Sequence, residues 1–423
     1  VAFVLVLTGV LFGLIGHWFE IFALSDFGFL PSRLFGLMGN FTLVAVPLFI
    51  FMGITLEKSG LAEELLKTAE TVLKRIRSGL PISLVLVGAL LAASTGIVGA
   101  TVVTMGIISL PRMMQRGISP PLACGTIAAS GTLGQIIPPS IVLILLSDMM
   151  NLAVADVFAA AIVPGCLLVV SYIAYIVFIA RIRPELIPDQ AGEAETHSYS
   201  ELFVRVIRNL IPPLLLILIV IGSILFGVAS PTESAACGAF GAFLLCAIRK
   251  RVSVQMLKST VVQTTAVTSM VFTLLIGAQV FSVVFRGLYG DEVISDFILG
   301  LEIPTPLILL TVLGLLFILG FFLDFMEICF IVVPIVTPLL VTDLHVNGLW
   351  LSILIALNLQ TSFLTPPFGF ALFYLKGVAP PQITTGDIYR GVFPFVGLQI
   401  FILAIVWAFP ELATALPSYL FGN

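Results

Sequence analysis

Residues 79–111 read GLPISLVLVGALLAASTGIVGATVVTMGIISLP, with no charged residue among them. Lys67, Lys74, Arg75 and Arg77 precede the run; Arg112 and Arg116 follow it. Basic residues mark the cytoplasmic side of a membrane protein, so both ends of the segment belong on that side. Crossing and returning takes about 20 apolar residues each way, more than this run supplies. The segment therefore reads as a re-entrant helical hairpin that bends back at Ser94-Thr95-Gly96.

A second apolar run, about 304–342, is bordered by Glu302 and Asp343 and bends near Asp324-Phe325-Met326-Glu327. With acidic rather than basic borders, it enters from the opposite side. After each hairpin comes an apolar segment interrupted by Gly and a double proline: GTLGQIIPPS (131–140) within 121–147, and NLQTSFLTPPFG (358–369) within 347–375. A proline pair cannot donate backbone hydrogen bonds, so the helix must open there. Other spans are expected at about 1–16, 42–57, 157–180, 209–228, 234–248, 267–285 and 391–410. Alternating them through the basic loops inverts the second half relative to the first. The expected fold is an all-α polytopic membrane protein with inverted-topology repeats, two re-entrant hairpins and two broken helices. Short Gly/Pro-interrupted segments at matching places in two halves point to the binding site of a secondary transporter.

The divisions that follow are scaffold helices and a surface arm in 1–78, and a first transport segment in 79–156. Scaffold helices with a cytoplasmic linker at 181–208 occupy 157–303. A second transport segment fills 304–390, and a C-terminal helix 391–423. Within the arm, Leu61, Leu65, Leu66, Ala69, Val72 and Leu73 alternate with Glu and Lys, the pattern of a helix lying on the membrane surface. The repeat leaves the first half one span short, so a further helix is expected before Val1.

Composition excludes much else. Hydrophobic residues make up 59 % of the chain, charged residues only 10 %, and mean hydropathy is +1.19. Such a chain could not solvate its own surface outside a bilayer, since soluble proteins carry roughly 25 % charged residues. No basic stripe suggests nucleic acid. The five cysteines stand singly and the three histidines lie far apart, leaving no metal-ligand spacing and no nucleophile–base motif. The sequence offers little to an enzyme.

The chemistry gathers at the breaks. Freed carbonyls are hard oxygen ligands suited to Na⁺, and the N-termini of half-helices favour anions. Ser94 and Thr95 add hydroxyls at the first hairpin; Asn358, Ser362 and Thr365 add oxygens at the second break. The competing reading makes both segments kinked packing helices. Asp324 and Glu327 are either functional acids or residues of a solvated tip. Arg286 reads as an interfacial, snorkelling residue.

The runs VPLFIFMGITLEKSGLAEELL, LVGALLAASTGIVGATVVTMGIISLP, GTIAASGTLGQIIPPSIVL and LNLQTSFLTPPFGFALFYLKG closely resemble the large, M-type (DctM-like) membrane subunit of TRAP transporters. These are the tripartite ATP-independent periplasmic transporters of bacteria and archaea. The resemblance covers nearly the whole chain. It implies Na⁺-coupled import of a small organic acid across the inner membrane by an elevator movement. It also implies a small four-helix membrane subunit (Q-type) and a periplasmic substrate-binding protein (P-type), with no cofactor beyond Na⁺ as coupling ion. By family motif, one Na⁺ site uses Ser94, Gly96, Gly99, Gly134, Ile137 and Pro139. The other uses Gly320, Ser362, Thr365 and Phe368; many members carry glycine where Ser362 stands. Substrate is expected between the hairpin tips, with Thr95, Asp324, Asn358, Pro138 and Pro366 as candidates. The alternatives are a stand-alone sodium/dicarboxylate-type carrier of the same fold and a passive channel.

Overall fold

The computed structural model describes residues 1–95, 98–188, 199–300 and 302–422, with side chains at 92–95 and 199–201 left aside. Among the described residues the regular structure is entirely helical. The chain opens with α1 (Ala2–Trp18), α2 (Leu30–Met38), α3 (Phe41–Lys58) and α4 (Leu61–Val72). The first hairpin segment forms α5 (Gly79–Thr95) and α6 (Val98–Gln115), which pack on each other. The first interrupted segment is α7 (Pro120–Thr132), a 3-10 turn at Leu133–Gln135, and α8 (Ile141–Met149). Then come α9 (Val154–Ile182), α10 (Tyr199–Arg205), α11 (Ile211–Leu225), α12 (Pro231–Ile248), α13 (Val254–Gly287) and α14 (Gly290–Leu299).

In the second hairpin segment, α15 (Thr305–Leu319) is followed by the short α16 (Phe325–Glu327) and α17 (Val333–Thr337). Wider π turns at Ile328–Val332 and Pro338–Asp343 join these into one helical stretch. The chain ends with α18 (Gly348–Leu364), α19 (Phe370–Val378), α20 (Thr385–Ala408) and α21 (Glu411–Phe421).

Polar caps stand where the apolar runs begin. Asn40, Ser253 and Asn347 each accept a hydrogen bond from the first turn of the helix they precede. Ser230 with Glu233, and Thr384 with Asp387, form reciprocal capping boxes at α12 and α20. Such side chains satisfy amide donors that the helix itself leaves open.

Among the described residues, seven helices are long and apolar enough to cross a membrane: Phe41–Lys58, Val154–Ile182, Leu202–Leu225, Pro231–Ile248, Val254–Gly287, Phe325–Asp343 and Thr385–Ala408. This is a multi-pass membrane protein. Shorter apolar helices include Ala2–Trp18, Gly79–Leu91, Thr305–Leu319 and Gly348–Leu364, so both interrupted segments and the first arm of each hairpin fall short of a full span.

Several expectations shift. The second hairpin's returning arm, Phe325–Asp343, reaches crossing length; Pro334 and Pro338 each remove a helical hydrogen bond, and widened turns accommodate such losses without ending a helix. The span expected at 267–285 begins at Val254. The C-terminal segment is two helices, parted at Phe409-Pro410, rather than one. The linker at 181–208 is helical from Tyr199, its residues 189–198 lying outside the described set.

Packing falls into two groups. Helices α1, α3, α12 and α13 pack on one another. Helices α5, α6, α7, α8, α9, α18, α19 and α20 surround the interrupted segments, and α18 is buried from Leu351 to Leu364. Although the sequence places α9 and α20 outside the hairpin segments, both pack against α7 and α18 or their neighbours. Helix α20 crosses α7 where an added Cβ on Gly391 would stand 1.9 Å from the Pro121 carbonyl oxygen. Small residues permit that approach. Gln399 of α20 then donates from Nε2 to the Tyr172 hydroxyl of α9 at 2.7 Å. Contacts of α5 with α3 and α4, and of α9 with α11, join the two groups.

Candidate functional site

A helix carbonyl normally accepts from the amide four residues on. Pro138 and Pro139 therefore free the carbonyls of Gly134 and Gln135; Pro366 and Pro367 free those of Ser362 and Phe363. Both Pro-Pro bonds are cis. Aligned on their proline pairs, Gly134 and Gln135 of the first break correspond to Ser362 and Phe363 of the second.

At the first break the Ser140 hydroxyl donates to the Gln135 carbonyl at 2.9 Å. The amides of Ile136 and Ile137 fold back onto Leu133 O at 3.2 and 3.0 Å. Gly134 and Pro139 are buried, as are the side chains of Gln135, Ile136 and Ser140. The buried Gln135 amide has no hydrogen-bond partner among the described residues. Ile137 and Pro138 face an apolar cavity bounded by α5, α9 and α11. Of the residues expected with them, Ser94 and Thr95 have undescribed side chains and Gly96 lies outside the described residues.

At the second break the Thr365 amide donates to Ser362 O at 3.1 Å, and the Gly369 amide to Thr365 O at 3.1 Å. No N–H donor reaches Phe363 O among the described residues. A Cβ added at Gly369 would stand 2.6 Å from Phe363 O and 3.0 Å from Thr365 O. Glycine is thus needed where two carbonyl oxygens converge. The Thr365 hydroxyl donates to Thr361 O at 2.7 Å, and Ser362 Oγ to Leu359 O at 2.8 Å, so both oxygens keep lone pairs to offer a cation. Pro367 and Phe368 are exposed.

Hairpin segments close around these breaks. Gly320, at the end of α15, sits so near Ser362 that a Cβ there would be 2.2 Å from its Oγ. Phe322 meets Phe368 with ring centroids 5.3 Å apart. Asp324 caps the returning arm: its Oδ1 accepts from the Phe325 amide at 2.9 Å, while Glu327 Oε2 accepts from the Asp324 amide at 3.2 Å. Both acids thus have a local structural job. The Asn358 amide donates to Leu313 O at 2.9 Å, stapling α18 to α15. Pro366 is half-buried at the break itself.

Sequence reasoning missed Tyr374. Its ring lies against Gly99 of α6, 2.7 Å from where a Cβ would be. It therefore packs the second broken helix against the first hairpin segment. Only a tyrosine-facing glycine, hundreds of residues away, signals it. Tyr389 was missed too; its hydroxyl donates to Pro367 O at 3.0 Å.

The donor chemistry suits a small monovalent cation. Carbonyls and hydroxyls are neutral hard oxygens, and among the described residues no cluster of His, Cys, Asp or Glu could hold a transition metal. The helix ends add direction: α7 and α18 present C-terminal, partly negative ends to the breaks, and α8 and α19 present N-terminal, partly positive ends. Each break can hold a cation on one side and an anionic group on the other.

A multi-pass helical protein whose buried polar chemistry is concentrated at two paired helix breaks is built as a permease. Residues 1–412 match the family described as "Tripartite ATP-independent periplasmic transporter, DctM component", and the chain belongs to it. It is a transporter permease, not an enzyme. It is 28 % identical over 392 residues to the C4-dicarboxylate TRAP transporter large permease protein DctM of Pseudomonas aeruginosa, covering 92 % of this chain and 90 % of that one. It is 26 % identical over 401 residues to the sialic acid TRAP transporter large permease protein SiaM of Vibrio cholerae, covering 94 % and 91 %. The Alcanivorax borkumensis YdaH transporter shares the fold, with a TM-score of 0.65 at 14 % identity over 93 % of this chain and 91 % of that one.

Proposed function

We propose that this permease imports a small organic acid across the cytoplasmic membrane, driven by an inward Na⁺ gradient. The observation that carries the proposal is the convergence of the Phe363 and Thr365 carbonyls at Gly369, on the negative end of α18. A cation held there lowers the cost of bringing a carboxylate to the positive end of α19, which couples the two. Names of relatives support an acid as cargo: one is a C4-dicarboxylate permease and another a sialic acid permease.

In this reading both hairpins are re-entrant and the halves are inverted repeats. The group around α7 and α18 moves as an elevator against the frame of α1, α3, α12 and α13. Helices α9 and α20 travel with the moving group, because Gly391 and Gln399 lock α20 into it. A small four-helix membrane subunit braces the frame, and a periplasmic binding protein delivers substrate. The relative named isethionate TRAP transporter permease protein DctMQ supports a joined or separate small subunit, since this chain covers only 58 % of it.

Uptake into proteoliposomes tests this. The permease and its small subunit are reconstituted with candidate organic acids, with and without the binding protein, under an imposed Na⁺ gradient. Accumulation requiring both Na⁺ and the binding protein is expected. Accumulation with Na⁺ alone would identify a stand-alone carrier, and downhill flux indifferent to Na⁺ would identify a channel.

A further inference from the structure

Two cavities share walls at the arm helix. One, of about 500 Å³, is lined by Lys67, Arg205, Arg208, Arg249 and Arg251, with Glu64 the only acid among the described residues. Arg249 pairs with Glu64 and also donates to Arg208 O at 2.7 Å; Arg251 approaches Glu64 at 3.4 Å. Lys67 pairs with Glu63 at 2.8 Å. Leaving Arg205 aside, the other four cations against both glutamates still leave two positive charges in excess among the described residues.

The other cavity, of about 830 Å³, is apolar throughout. Leu86 and Leu90 of α5, Val169 of α9, and Leu214 and Leu218 of α11 form its sides, with Pro138 of the first break among its lining. Ala69 and Val72 of α4 line the apolar cavity while Thr68 and Thr71 line the basic one. Likewise Leu210 belongs to the apolar cavity and Asn209 to the basic one, with Asn209 Nδ2 donating to Thr68 Oγ1 at 3.1 Å on the boundary. A basic mouth thus opens beside an apolar slot on the same two elements.

We propose that this pair of cavities is a binding site for one acidic phospholipid, its phosphate headgroup among Arg208, Arg249 and Arg251 and an acyl chain in the slot between α11 and the α5–α9 pair. A soluble anion would use the mouth and leave the slot without purpose; a neutral lipid would leave the excess charge unanswered. Basic pockets between helices at a cytoplasmic face are the kind that hold acidic headgroups. Because the slot reaches Pro138, the bound chain touches the first break. The site stands on charge and shape and does not depend on the transport reading.

Native mass spectrometry of the full chain, purified and stripped of lipid, tests it by titration with phosphatidylglycerol, with phosphatidylcholine of the same chains, and with inorganic phosphate. Phosphatidylglycerol is expected to bind roughly tenfold more tightly than phosphatidylcholine, as a few basic contacts provide. Arg208→Gln with Arg251→Gln should remove that preference, and Arg208→Lys with Arg251→Lys should keep it. Gly222→Phe should weaken both lipids, because a Cβ there meets nothing nearer than Phe226 at 3.9 Å and the ring enters the slot. Equal binding of the two lipids, displacement of phosphatidylglycerol by phosphate alone, or indifference to both the glutamine pair and Gly222→Phe would overturn the assignment.

Discussion

At the first break the Ser140 hydroxyl takes Gln135 O at 2.9 Å, no donor reaches Gly134 O among the described residues, and the surrounding residues are buried. At the second break the roles reverse: the Thr365 amide takes Ser362 O at 3.1 Å, Phe363 O has no N–H donor among the described residues, and Pro367 and Phe368 are exposed. The same device, a helix opened by two prolines, thus leaves a different carbonyl free at each break, Gly134 O among buried residues and Phe363 O beside exposed ones. Part of the difference lies after the prolines: Ser140 follows the first pair and reaches back to Gln135 O, whereas Phe368 follows the second and turns toward Phe322.

The largest effect is expected at Gly369. Gly369→Ala places a methyl between Phe363 O and Thr365 O, and overpacking of about 1–3 kcal/mol would raise the Na⁺ concentration for half-maximal uptake by roughly tenfold to a hundredfold. An unchanged Na⁺ curve in a folded variant would remove the second break as a cation site. Thr365→Ala deletes one neutral oxygen, and a loss of about 0.5–1.5 kcal/mol predicts a shift of roughly two- to tenfold, reversed by Thr365→Ser. If alanine and serine behave alike, the hydroxyl serves only its bond to Thr361.

Ser140→Ala probes the first break. It should lower stability to unfolding by about 1 kcal/mol while leaving the Na⁺ response of the second break alone. A large change in Na⁺ dependence with unchanged stability would mean that the Gln135 carbonyl and Ser140 take part in Na⁺ binding. The smallest effect is expected beyond both breaks, on the arm helix. There Lys67, and then Arg112, hold the Glu63 carboxylate below its usual range. A depressed carboxylate stabilises the fold above its unfolded pKa and loses that contribution as pH falls through the folded value. Because the pair is solvent-exposed, Glu63→Gln should cost less than about 0.5 kcal/mol. Melting curves of wild type and variant should differ slightly at neutral pH and converge on acidification; divergence on acidification would contradict the sign.

Much of the fold was legible because its devices are local. Proline pairs, glycines and uncharged runs bounded by Arg or Asp announce themselves within a few residues, and they located both breaks and both hairpin segments. The short α2 and α14 escaped because neither is long enough to stand out as an apolar run. The early start of α13 was hidden by Gln255, Lys258, Gln263 and several threonines, which dilute the apolar signal without ending the helix. Asn358 looked like a ligand because it is polar in an apolar helix, yet its amide is engaged with Leu313 O across the pair of helices. Tyr374 and Gln399 could not be found from sequence, since Gly99 and Tyr172 become their neighbours only in the folded core.

The central claim, a Na⁺ site at the second break, can be tested without knowing the substrate. The melting temperature of the purified permease would be followed as Na⁺ replaces K⁺ at constant ionic strength, for wild type and for Gly369→Ala. Saturable stabilisation by Na⁺ in the wild type, largely lost in the variant, is the predicted result. Equal stabilisation by K⁺, or a variant that responds to Na⁺ as the wild type does, would contradict it.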